Sequence, residues 1–197
     1  MPNEPASQRA SAGSSPPAHD ARQPNSRGCF VCGLANPIGL KIVFHEDRPT
    51  GQVQATITIP DGFRSYPGVV HGGIVATILD EVSGRAIMLA TGDDNAFFVT
   101  AKMEVRYRRA TPVNTPLLAV GWVERMGQSR VWVRGELRLE DKVLAECKSL
   151  IVLPTPDFLA HWGDEESYWR VYGDEDLQQA RSSGRAPLEG EGCQRSW

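Results

Sequence analysis

Between Gly73 and Ala90 the chain holds no proline, and apolar residues fall at Val75, Leu79, Val82, Ala86 and Leu89. Those intervals put the side chains on one stripe of an α-helix. On either side the period drops to two. Lys41–Glu46 and Gln52–Pro60 read as strands around a Pro49-Thr50-Gly51 turn, the second alternating through Val53, Ala55, Ile57 and Ile59. In Phe97–Arg108, Val99, Ala101, Met103, Val105 and Tyr107 share one face, and Thr100, Lys102, Glu104, Arg106 and Arg108 the other. Leu117–Met126, Val131–Leu139 and Val143–Leu153 complete the set. Short connections favour antiparallel neighbours, because a parallel return needs a crossover of a dozen or more residues. The pattern therefore predicts an α+β fold, one long helix packed on a single antiparallel sheet of five to six strands.

The ends differ in composition. Residues 1–27 are Ser, Pro, Ala, Arg and Gln with almost nothing to bury, so they are expected to form a disordered leader. The domain is expected to span 28–154. Residues 155–197 form an acidic extension containing Trp162, Tyr168, Trp169 and Tyr172, either a short helix docking its aromatics or a loosely held appendage, with 181–197 disordered.

Charge and composition narrow the class. A net charge of −3 gives no reason to expect nucleic acid or an anionic membrane as partner. No apolar run approaches the roughly 20 residues of a membrane span, and the N-terminus has no hydrophobic targeting core, so a cytoplasmic protein is expected. Four cysteines in unrelated settings do not form a disulfide framework. Cys29 and Cys32 are close in sequence, but a structural zinc site takes four ligands and no second Cys or His pair lies nearby. The pair is read as a structural turn and Cys147 as buried packing, and no structural zinc site is expected.

The candidate chemistry lies where the helix begins. In Tyr66-Pro67-Gly68-Val69-Val70-His71-Gly72-Gly73, two glycines allow a sharp turn and close approach of another molecule. First-turn N–H groups lack intrahelical partners and face partial positive charge, which suits a carbonyl oxygen that becomes negative during attack. Asp80 sits beside the apolar stripe among Gly73, Ala76, Thr77, Ser83, Gly84 and Ile87, mostly small neighbours that let another molecule approach its face. An acid off the solvent face needs a reason. Glu81 has Arg85 four residues on and reads as an ordinary surface ion pair.

The run His71-Gly72-Gly73-Ile74-Val75-Ala76-Thr77-Ile78-Leu79-Asp80-Glu81 resembles the helix start of hotdog-fold thioesterases of the PaaI-like (phenylacetyl-CoA thioesterase) group. The upstream Cys29-Phe30-Val31-Cys32-Gly33 and Asn36-Pro37-Ile38-Gly39-Leu40 are similar to the leader of one bacterial branch of that group, and the likeness runs from about Cys29 to Leu153. The resemblance implies Asp80 as general base or nucleophile, Gly72 as oxyanion donor and Thr100 as the residue orienting the attacking water. Family members commonly carry Asn, Gln or His where this chain has Ser65. His71 and Gly73 would help to hold the substrate, His71 as a positioning residue for the turn more than as an acid or base. Arg106 and Arg108 would either meet CoA phosphates or line a solvated strand face.

The resemblance also implies an acyl-CoA substrate, no cofactor beyond the CoA of the substrate, and a homodimer or dimer of dimers in which Asp80 of one subunit meets Gly72 of the other. Two other functions fit the same residues. One is a hotdog enoyl-CoA hydratase or dehydratase with His71 as proton donor. The other is a non-catalytic acyl-CoA-binding module.

Overall fold

The computed structural model describes residues 21–155, 157 and 165–182. Most of the expected leader, Trp162 and residues 183–197 lie outside them. The strands are β1 (Ala21–Arg22), β2 (His45–Asp47), β3 (Gln52–Thr58), β4 (Arg64–Tyr66), β5 (Val69–Val70), β6 (Val99–Tyr107), β7 (Pro116–Arg125), β8 (Arg130–Leu139) and β9 (Lys142–Val152). The helices are α1 (Gly72–Thr91), α2 (Glu165–Tyr168) and α3 (Asp174–Ser182).

Seven strands form one antiparallel sheet in the order β1-β2-β3-β7-β8-β9-β6, and β4 and β5 form a separate hairpin. The α+β architecture is as expected, one long helix on a single antiparallel sheet. The seventh strand is β1, which lies in the segment read as leader. Residues 21–27 are ordered in place. Gln23 and Asn25 are buried. The Asn25 amide donates to the carbonyls of Cys32 and Ile42 at 2.7 and 2.9 Å. Low hydrophobicity concealed this segment, because it is held by polar contacts and not by apolar burial. No helix among the described residues is long and apolar enough to cross a membrane.

Helix α1 begins at an N-cap, where His71 Nδ1 accepts the Gly73 N–H at 3.0 Å. It ends where Gly92 takes a left-handed conformation and its N–H meets the Met88 carbonyl. Phe44, Val53, Ile78, Leu79, Val82 and Leu137 form the centre of the core between helix and sheet, fully removed from solvent. Each such side chain contributes about 1.5–3 kcal/mol. The helix seats closely because Gly121 and Gly135 lie opposite each other in the β7–β8 register. A Cβ at Gly121 would stand 2.1 Å from the Val82 carbonyl oxygen, and one at Gly135 would stand 3.2 Å from that of Leu79.

Strand β6 departs from simple alternation. Its pairing with β9 shifts register between Thr100 and Lys102, so that Thr100 lies opposite Ile151 while Met103 and Val105 lie opposite Ser149 and Cys147. Ile151, Ser149 and Cys147 are all buried. The bulge at Ala101 thus turns Thr100 onto the helix side of the sheet, not the polar face that period two assigned to it. Lys102, Glu104 and Arg106 remain on the outer face.

Candidate active site

Asp80 and Thr100 come together. The Thr100 hydroxyl donates to Asp80 Oδ1 at 2.8 Å. Burial raises the Asp80 carboxyl above its ordinary value, the Thr100 hydrogen bond opposes that rise, and the charge of Glu81 adds to it. Both residues line a cavity of about 600 Å³ whose walls include Gly84, Met88, Phe97 and Ile151. Gly84 matters by what it omits, since a Cβ there would enter space now reaching to Ile151. A carboxylate of raised basicity, held by a hydroxyl at the edge of a largely apolar cavity, is equipped to take a proton from water or to attack an electrophilic carbon.

The other candidates gather elsewhere. Gly72 opens α1, its carbonyl accepting the Tyr107 hydroxyl at 2.9 Å. Its N–H lies in the first turn, where the helix offers no acceptor. Eight residues of helix separate it from Asp80, a rise of about 12 Å. His71 and Gly73 are exposed at that turn, and Ser65 is exposed on β4. None of Ser65, His71, Gly72 and Gly73 lines the cavity of Asp80. Arg106 lies on the sheet face away from the helix, and Arg108 is paired with Glu146 at 2.6 Å.

Three features were not legible in the sequence. Glu81 and Arg85 do form the i,i+4 pair, at 2.9 Å, but it is not a surface pair. The Arg85 side chain is only 3 % exposed. Its guanidinium lies over the rings of Phe44 and Trp169 at 4.6 and 5.0 Å and donates to the Pro24 carbonyl at 2.6 Å. Second, the C-terminal extension docks. Trp169 donates to the Asp94 carbonyl at 2.7 Å, meets Phe97 edge-on and lines the cavity. Tyr172, Leu177 and Ala180 bury against Leu34 and Val43. Third, Cys29 and Cys32 also line the cavity, near Glu81. The hydrogen bond from Cys32 lowers the Cys29 thiol to about 6, and the same bond with burial raises that of Cys32. No periodicity in the sequence places the Cys29–Gly33 turn against the third turn of α1, which carries Glu81.

The sequence model of the thioesterase superfamily matches residues 67–146, from the glycine-rich turn into β9. Among solved structures, a thioesterase superfamily protein is 28% identical with a TM-score of 0.53 over 59% of this chain, which spans 55% of that protein. A phenylacetic acid degradation-related protein from Ralstonia eutropha JMP134 is 25% identical with a TM-score of 0.52, over 58% of this chain and 86% of its own. The matched segment, the helix-on-sheet architecture and these likenesses make the domain similar to proteins of the thioesterase superfamily, with the helix-on-sheet layout of the hotdog fold.

Proposed function

We propose that this protein hydrolyses acyl-CoA thioesters to a free acid and CoA. Asp80 takes a proton from the attacking water, Thr100 orients that water, and the Gly72 N–H of a second copy holds the carbonyl oxygen. Water oxygen bonds to the carbonyl carbon, the C–S bond breaks, and the thiolate leaves with a proton. The carrying observation is the Asp80–Thr100 contact at the wall of an acyl-sized cavity. Both groups line that cavity, so a water held between them and a bound thioester would meet the base and the orienting hydroxyl together.

Within one chain, Gly72 is too far along the helix to serve a carbonyl that Asp80 can reach. A homodimer that brings the two ends of α1 together supplies both groups to one site. Strand β6 offers a surface for such pairing. It is the sheet's last strand, and Lys102, Glu104, Arg106 and Tyr107 along it are exposed. A long open edge invites a second chain. His71, Gly73 and Ser65 would then border the neighbouring subunit's site, with His71 holding the turn through its bond to Gly73. Arg106 and Arg108 belong to the outer face by this geometry. The reaction uses no metal or cofactor.

A thiol-release assay over aromatic, short and medium-chain acyl-CoAs tests the reading. Turnover that Asp80→Asn abolishes is the expected outcome. Enoyl-CoA formation without free thiol transfers the site to hydratase chemistry. Binding without turnover leaves a binding module.

A further inference from the structure

The Cys29–Gly33 turn is built tightly. The Gly33 N–H bonds the Cys29 carbonyl at 2.9 Å, and a Cβ on Gly33 would meet that oxygen at 2.3 Å, so only glycine closes it. The Val31 N–H points at Cys29 Sγ at 3.3 Å. Ser26 accepts the Cys29 N–H at 3.0 Å and lies 3.6 Å from Cys32 Sγ. Asn25 anchors the Cys32 carbonyl from beneath. Helix α1 then brings Glu81 to the two sulfurs, so that Cys29 Sγ, Cys32 Sγ and a Glu81 carboxylate oxygen all lie within 4.8 Å of one another. Arg85 engages Glu81 Oε1 and fixes the carboxylate from the side away from solvent.

We propose that Cys29, Cys32 and Glu81 bind one thiophilic divalent cation, zinc by preference, with its fourth position open to the cavity. Two sulfurs and one carboxylate are a soft donor set that suits zinc and not magnesium or calcium. Tetrahedral bonds of about 2.3 Å to sulfur and 2.0 Å to oxygen set these ligand atoms roughly 3.5–3.8 Å apart, so no pair within 4.8 Å need close by more than about 1.3 Å. An N–H directed at a coordinating sulfur, as from Val31, orients a ligand and tempers its charge. Two thiolates and a carboxylate carry three negative charges, of which Arg85 offsets one and a divalent cation the other two. A water or a guest in the cavity would complete the sphere. The ion would tie the N-terminal turn to α1 one residue from Asp80, without entering the hydrolysis.

Metal content tests this without reference to turnover, so its failure and that of the hydrolase reading are distinguishable. Full-length protein purified with reductant should carry about one zinc per chain by inductively coupled plasma mass spectrometry. Cys29→Ser and Cys32→Ser should each lose it. Cobalt added to the chelator-stripped protein should give a thiolate-to-metal charge-transfer band and intense tetrahedral visible bands, both absent from the double serine variant. Glu81→Gln, checked by circular dichroism to be folded, should bind zinc at least tenfold more weakly in competition with a chelator. The proposal is overturned if reduced, metal-free protein takes up neither zinc nor cobalt, or if the double variant retains the metal. Unchanged affinity in Glu81→Gln overturns the three-ligand site. A Cys29–Cys32 disulfide that yields on reduction a protein inert to both metals overturns it as well.

Discussion

At the scale of single residues, two opposed effects set the basicity of Asp80. Burial disfavours its ionised form, and the Thr100 hydroxyl favours it. A base must be ionised, so activity is lost as pH falls through its pKa. Thr100→Val removes the bond that favours the carboxylate, so the acid limb of kcat/KM should move to higher pH. A limb that stays or moves down would show that Thr100 does not act on Asp80. Asp80→Asn keeps the shape but not the basicity, and kcat should fall by about 10²–10⁴-fold with the fold intact by circular dichroism. Glu81 calls for a different expectation from that of a solvated ion pair. Removing its charge leaves Arg85 beneath Phe44 and Trp169 with its main counterion gone. With Glu81 itself part-exposed, Glu81→Gln should cost up to about 3 kcal/mol, less than for a wholly buried pair, read from chemical denaturation. A loss of only a few tenths would return the pair to the surface class. The motif and its small-residue surroundings made Asp80 legible in the sequence. The burial of Arg85 was not, because residues 44 and 169, which enclose it, are remote in the chain.

The elements were legible wherever a period was. The helix and the last three strands were read within a residue or two at each end, because their apolar stripes face one core. What periodicity cannot show is a place where the backbone breaks period. The bulge in β6 adds one residue between Thr100 and Lys102, and that residue decides whether the hydroxyl faces Asp80 or the outer solvent. The Gly121–Gly135 pair is a second such place. Each glycine alone reads as a weak spot in a strand, and only the register shows that together they seat α1. Gly121→Ala puts a methyl 2.1 Å from the Val82 carbonyl oxygen, and neither backbone can yield without moving the helix turn that carries Asp80. Overpacking of this kind costs about 1–3 kcal/mol. A lower melting temperature together with a lower kcat is expected. A variant as stable and active as wild type would mean the helix is not seated there.

Across the whole molecule, the termini and a second copy govern the site. Residues 23–25 bury two amides whose loss would strand buried acceptors, so deleting residues 1–26 should lower the melting temperature by roughly 5–10 °C. Composition alone marks that deletion as harmless, because it registers apolar content and not hydrogen bonding. The second copy enters through the length of α1. If Asp80 and Gly72 serve one thioester, they come from different chains, and complementation can show it. Gly72 is the first residue of α1, a position where proline is well accepted, and His71 before it already has the extended backbone that proline requires. An added Cβ would meet Tyr107 only at 3.6 Å, an ordinary contact. Gly72→Pro therefore deletes the N–H with little else, and kcat should fall by about 10²–10³-fold. Asp80→Asn and Gly72→Pro should each be nearly inactive alone. Mixed at equal concentration and allowed to exchange subunits, they form heterodimers in which one site carries both lesions and the other carries none. Random exchange then restores about a quarter of wild-type sites, since half the dimers are mixed and each has one intact site of two. An in-chain site restores nothing, because every site keeps one lesion. Recovery that approaches a quarter only under conditions where light scattering shows exchanging dimers would assign the two halves of the site to two subunits. A mixture that exchanges fully and stays inactive would assign the carbonyl oxygen to a donor other than Gly72.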